Sequence, residues 1–246
     1  MSKICTIIPV YNEAQRLDKE TFYLFLRNNP NQLLLFVNDG SSDDSEQILQ
    51  QMAGHNPRQI KCLLLRNNQG KAEAVRQGVL HIKNWIEIDY FGYLDADLAT
   101  PLSQISFICS YLDDNKDKLM AFGSRVKLLG TDINRKLSRH YLGRIFATSV
   151  SLLFDLSIYD TQCGAKYFRN NSDAISLFDE EFTSKWFFDV ELFIRLRNRF
   201  PESLLENKAM EIALQNWQEQ GNSKLKWSDF ILSPWRLLRI NRYYRR

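Results

Sequence analysis

Histidine and cysteine are scarce in this chain of 246 residues, at three and four respectively. Cys5, Cys62, Cys109 and Cys163 are scattered, with no C-x-x-C pair and no histidine at metal-ligand spacing, which speaks against a zinc module or a disulfide scaffold and for reduced thiols. No apolar run approaches the roughly 18 residues of a membrane-spanning helix. Met1-Ser-Lys3 leads straight into a strand pattern, without the apolar stretch of a signal peptide. The expectation is a cytoplasmic protein, peripheral on the cytoplasmic membrane face if it touches a membrane. Strong charge of one sign is also missing: 32 Lys+Arg against 29 Asp+Glu leave a net +3, too little to hold a nucleic acid unless concentrated. It is concentrated only in residues 235–246, where Arg236, Arg239, Arg242, Arg245 and Arg246 stand among aromatic and aliphatic residues with no acid.

What is present is a core. A composition 44% hydrophobic and 13% aromatic suits one large α/β domain, placed at residues 1–226 with a basic aromatic tail at 227–246. Ile4–Val10, Leu33–Val37, Lys61–Leu65 and Tyr90–Leu94 are short, continuously apolar runs, the pattern of strands buried on both faces. Helical stretches separate them, roughly Ala14–Asn28, Ser42–Ala53 and Gly70–Ile82. This alternation predicts a mostly parallel sheet flanked by helices, with functional loops gathered beyond the carboxyl ends of the strands. The half after Gly123 is less regular, with helices predicted over Asn134–Phe154 and through Trp186–Ile194.

The polar loops carry the chemistry. Asp95 and Asp97 follow an apolar strand two residues apart, so extended backbone would turn both carboxylates to one side, where they could share a hard cation with a diphosphate. The alternative is an ordinary acidic turn. Asp39, in Val37-Asn-Asp-Gly-Ser-Ser-Asp43, stands where an acid can accept from the imide N–H of a base, while Ser41, Ser42 or Asp43 caps the next helix. Gly70, Lys71 and Arg76 could approach a diphosphate or base, or simply start a solvated helix.

In order and spacing, Ile7-Ile-Pro-Val-Tyr-Asn-Glu13, the Asp39 segment, Asn68-Gln-Gly-Lys-Ala72 and Leu94-Asp-Ala-Asp97 resemble the nucleotide-binding half of family 2 inverting GT-A glycosyltransferases. The resemblance implies a GT-A (Rossmann-like) fold. It implies that Pro9, Tyr11 and Glu13 line a nucleoside pocket and that Asp39 holds the base. The Asp95-Ala96-Asp97 loop and Lys71 would then hold the donor, with Asp95 and Asp97 binding Mg2+ or Mn2+. Gly123-Ser-Arg125, Asp160-Thr-Gln-Cys-Gly-Ala-Lys166, Trp186-Phe-Phe-Asp-Val-Glu191 and Asn216–Leu225 resemble dolichyl-phosphate β-glucosyltransferases. That likeness implies UDP-glucose as donor and a polyprenyl (dolichyl or undecaprenyl) phosphate as acceptor.

A lipid phosphate is already anionic and needs cations rather than a general base. Arg125, with Arg135 or Arg139, is the expected clamp, since guanidinium groups grip phosphate bidentately. Were the acceptor a saccharide hydroxyl, Asp189 would be the candidate base; as a helix cap it would be structural. Cys163 pairs with no histidine and reads as a small buried hydrophobe. The tail spaces its arginines as a helix lying on an anionic bilayer would, although packing on the domain or on a second copy in a homo-oligomer explains it equally. A non-catalytic nucleotide-sugar-binding module and a nucleotidyltransferase are the rival classes.

Overall fold

A computed structural model describes residues 2–220, except 84 and 86, and residues 233–244; the side chains of Leu137, Arg139, Ser233 and Pro234 lie outside that description. Strands β1 (Ile4–Val10), β2 (Gln32–Asp39), β3 (Ile60–Leu65) and β4 (Tyr90–Tyr93) alternate with helices α1 (Lys19–Asn28), α2 (Ser45–His55) and α3 (Lys71–Ile82). Their continuous hydrophobicity follows from the two-residue period of a strand. Cys5, Ile7, Leu35, Val37, Phe91 and Tyr93 point into the core shared with α3, while Ile4, Ile8, Val10, Leu34, Phe36 and Tyr90 enter a second core on the opposite face.

The second half contributes α4 (Ser103–Asp114), β5 (Met120–Ser124), β6 (Asp132–Asn134), α5 (Leu137–Phe154), β7 (Lys166–Arg169), α6 (Ser172–Ser176), α7 (Phe188–Arg199), α8 (Leu205–Lys208), β8 (Ala209–Ala213), β9 (Asn216–Gln218) and the C-terminal helix α9 (Ser233–Tyr244). The main sheet runs β3-β2-β1-β4-β7-β5-β8. Four of its six pairings are parallel, and β7 lies antiparallel between β4 and β5. The expected mostly parallel sheet flanked by helices is therefore present, with one reversed strand inside it.

Several expected boundaries shift, and the helix expected over Ser42–Ala53 runs over Ser45–His55. The helix expected from Ala14 starts at Lys19, where Asp18 caps it by accepting from Thr21 N–H. Asn134 belongs to β6, paired with β9 so that Ile133 and Trp217 are both buried, and the helix begins only at Leu137. Trp186 and Phe187 precede α7, which opens at Phe188. The expected boundary at 226/227 falls outside the described residues, but α9 packs back onto the domain. Leu237 and Ile240 enter the core beside Val150 and Phe154, and the Tyr244 hydroxyl donates to Glu191 and accepts from Arg195.

Candidate active site

Beyond the carboxyl ends of β1, β2 and β4, a cavity of about 580 Å3 opens between the polar loops of the first half and helix α5. Pro9, Tyr11, Glu13, Asp39, Lys71, Asp95, Ala96 and Asp97 all line it, as do Arg125, Arg135 and Asp189. Of the anticipated site residues, only Arg139 is not placed, because its side chain lies outside the described residues.

The acidic loop is a turn after β4 rather than a continued strand, with Leu98 in the left-handed region at φ 54°. Asp97 accepts from Ala99 N–H at 3.0 Å and faces Arg16 at 3.5 Å. Burial, followed by the neighbouring Asp95 charge, pushes the Asp97 carboxyl above the usual range. Lys71 Nζ stands 2.5 Å from Asp95 Oδ1. Burial works against that ammonium, yet Asp95, Asp189 and Asp97 together hold its pKa above the ordinary value. Two crowded carboxylates with a resident ammonium form a site for positive charge. Among the described residues no three His, Cys, Asp or Glu side chains converge. Two carboxylates are too few to enclose a hard cation by themselves, so an ion held here would take its other ligands from water or from a bound molecule.

Asp39 is committed to the backbone. Its two oxygens accept from Gln69 N–H and Gly70 N–H, each at 2.8 Å, tying the loop before α3 to the end of β2. Gly40 beside it has φ +63°, and a Cβ there would stand 2.6 Å from the Asn67 backbone, so this Asp-Gly step admits no larger residue. Arg76, by contrast, does not line the cavity: it is turned to Glu73 and to the Asp179 carbonyl, each at 2.8 Å.

The stretch from Asp160 to Lys166 holds both walls in place. Lys166 is fully buried and donates to the Thr161 and Cys163 carbonyls at 3.0 and 2.7 Å and to Asp189 Oδ1 at 2.6 Å. The Tyr93 hydroxyl donates to the same oxygen at 2.5 Å. Asp189 is thus one half of a buried ion pair, a partner that sequence inspection did not supply. Gly164 presses on Asp95, since a Cβ built there would overlap Asp95 Oδ2 and stand 2.6 Å from its Cγ. Cys163 is buried, which pushes its thiol up to about 11 and leaves it inert.

The far wall is cationic and aromatic. Arg125 grips Asp160 bidentately at 2.6 and 2.7 Å and lies 5.5 Å from the Trp217 ring. Burial favours the neutral acid, but Arg125 outweighs it and holds Asp160 well below the carboxylate range. Burial and then the Arg125 charge lower the pKa of Arg135, a crowding of like charges that an anion would relieve. Arg144 on α5 was missed by sequence inspection. It donates to the Tyr159 carbonyl at 3.1 Å, packs 3.9 Å from the Tyr159 ring, and lines the same wall with Phe146 and Phe187, whose rings stack at 4.9 Å. Its only signal was a lone arginine in a helix that is otherwise uncharged from residue 141 to 154.

The chain is similar to known proteins over almost its whole length. It is 32% identical to a dolichyl-phosphate beta-glucosyltransferase of Trichomonas vaginalis, covering 97% of this chain and 71% of that protein. It is 31% identical to the dolichyl-phosphate beta-glucosyltransferase of Saccharomyces cerevisiae, covering 90% and 69%. Among solved structures, glucosyl-3-phosphoglycerate synthase from Mycobacterium tuberculosis, in complex with Mn2+, UDP-glucose and phosphoglyceric acid, superposes with a TM-score of 0.69 at 13% identity, covering 98% of this chain and 80% of that one. The profile of glycosyl transferase family 2 matches residues 5–175, and with this fold and loop set the chain is a glycosyltransferase that belongs to that family.

Proposed function

We propose that this enzyme transfers glucose from UDP-glucose, with inversion, to a polyprenyl phosphate of the dolichyl or undecaprenyl type. The observation that carries the reading is that Asp95 and Asp97 line one cavity together with Arg125, Arg135 and Arg144 and with Phe146 and Phe187. The named activities of the curated relatives and the donor bound by the fold neighbour support it.

In this reading Pro9, Tyr11 and Glu13 border the nucleoside, and Asp39 holds the base while fixing the Gln69–Gly70 loop around it. Asp95 and Asp97 hold Mg2+ or Mn2+, which supplies Lewis-acid stabilisation of charge on the departing diphosphate. Lys71 turns from Asp95 toward the phosphates. The arginine wall seats the acceptor phosphate, one of whose oxygens attacks the anomeric carbon as the bond from that carbon to the diphosphate oxygen breaks, giving UDP and a glucosylated lipid phosphate. A phosphate nucleophile has no proton to lose, so Asp189, tied to Lys166, orients the sugar rather than acting as a base. Arg139, on the same helix as Arg144, is assigned to the acceptor phosphate on its residue type and its position in the sequence. The C-terminal helix holds the enzyme at the cytoplasmic membrane face; among the described residues no helix is long and apolar enough to cross a membrane.

The test is radiolabelled transfer from a panel of UDP- and GDP-hexoses to undecaprenyl and dolichyl phosphate with Mn2+ or Mg2+. Labelled lipid should form from UDP-glucose, and Asp95→Asn or Asp97→Asn should lower its formation at least about a thousandfold, the scale of several kcal/mol of lost leaving-group stabilisation. Transfer that survives both substitutions, or a label that enters only free saccharides, would refute the reading.

A further inference from the structure

Strand β8 forms one edge of the main sheet and pairs in parallel with β5, with Glu211 opposite Phe122. Ala209 and Ile212 are buried along it, while Glu211 is exposed. An exposed glutamate is ordinarily a solvated surface group. This one instead holds two consecutive backbone amides in the segment between α5 and β7. Its Oε2 accepts from Tyr159 N–H at 2.8 Å and its Oε1 from Asp160 N–H at 2.7 Å. Each of the two anchored residues in turn holds an arginine of the cavity. Asp160 accepts from the Arg125 side chain at 2.6 and 2.7 Å and from its backbone N–H at 3.1 Å. Arg144 donates to the Tyr159 carbonyl at 3.1 Å and packs 3.9 Å from the Tyr159 ring. The Tyr159 carbonyl and the Asp160 N–H belong to one peptide unit, planar and trans, so they point in opposite directions. A carboxylate that fixes that N–H therefore also fixes the carbonyl on which Arg144 rests.

We propose that Glu211 is a positioning residue for acceptor binding: by holding the Tyr159 and Asp160 amides it aims the Arg144 and Arg125 guanidinium groups at the acceptor phosphate, an inference that rests on the acceptor assigned above. The sign of its effect separates this role from a purely electrostatic one. As a bare negative charge behind the arginines, Glu211 would repel an anion, and neutralising it would tighten acceptor binding. As the holder of the two amides it strengthens binding, because guanidinium groups fixed in advance lose less freedom when they close on a phosphate.

Steady-state kinetics of the full chain, with each substrate varied in turn, reads the role. Glu211→Gln keeps the reach of the side chain but offers one acceptor oxygen in place of two. It should raise the KM for the polyprenyl phosphate about fivefold, and Glu211→Ala about tenfold or more, the scale of one and of both hydrogen bonds lost. The KM for UDP-glucose and the midpoint of thermal unfolding should stay at the wild-type values in the Gln variant. In an Arg144→Ala background the Gln substitution should raise the acceptor KM only about twofold, since its route through the Tyr159 carbonyl no longer ends on a guanidinium. An acceptor KM that is unchanged or lowered in Glu211→Gln overturns the proposal. So does full additivity with Arg144→Ala, or a rise of both KM values together with a falling midpoint. A crystal structure of Glu211→Gln should show the Arg144 guanidinium displaced from the Tyr159 ring, and an unmoved guanidinium also overturns the proposal. Should it be displaced while the wild-type enzyme labels no lipid phosphate, the positioning role stands and the assigned acceptor falls.

Discussion

At the scale of single residues, the site is a set of charges that settle one another. Asp160 neutralises Arg125, Lys166 neutralises Asp189 and Lys71 answers Asp95. Arg135 and Arg144 are the cations of the far wall whose ion partners are not carboxylates of that set. Arg144 is held by a neutral carbonyl and an aromatic ring, so its charge remains available to an incoming anion while its position is fixed. Arg144→Ala should raise the KM for the lipid phosphate about tenfold, the scale of one hydrogen bond to a charged group. The KM for the nucleotide sugar should stay the same, a split that steady-state kinetics with each substrate varied in turn would check. Arg144→Lys should recover only part of the loss, because an ammonium cannot offer the planar fork.

At the scale of elements, the Asp160–Lys166 stretch leading into β7 does more than its length suggests. Because β7 runs antiparallel between β4 and β5, it brings Gly164 against Asp95, which follows β4, and inserts Lys166 beneath Asp189 of α7. Gly164→Ala should leave the fold intact by circular dichroism yet displace the Asp95 carboxylate. Activity should drop about a hundredfold, in keeping with the effect of an ångström-scale misplacement in a catalytic constellation. Nucleotide-dependent Mn2+ binding, followed by electron paramagnetic resonance, should weaken in parallel. An Ala variant with wild-type metal affinity would show that Asp95 has room to adjust.

At the scale of the whole molecule, the described part of the basic tail, helix α9, packs on the domain. Leu237 and Ile240 close the core over α5, and Tyr244 reaches Glu191 and Arg195 on α7. Deleting residues 233–246 should therefore destabilise the domain by about 3–6 kcal/mol, the value of two fully buried aliphatic side chains. The midpoint of thermal unfolding would fall by roughly 10 °C, readable by differential scanning calorimetry. A truncated protein with an unchanged midpoint would mean that α9 rests on the domain without stabilising it.

The sequence by itself determined what local pattern can carry. Four continuously apolar strands, the acids and glycines that follow them, and the family to which those loops belong were legible because each signal lies within a few neighbouring residues. The short strands of the second half were not, since β5, β7 and β8 run only four or five residues and β7 opens on a buried lysine that breaks the apolar pattern. Only tertiary structure could decide which arginines face the cavity, that Arg76 turns away, and that Asp189 is paired with Lys166. Those outcomes depend on a reversed strand bringing residues far apart in the chain within hydrogen-bonding distance, and a buried charge takes whichever partner the packing delivers.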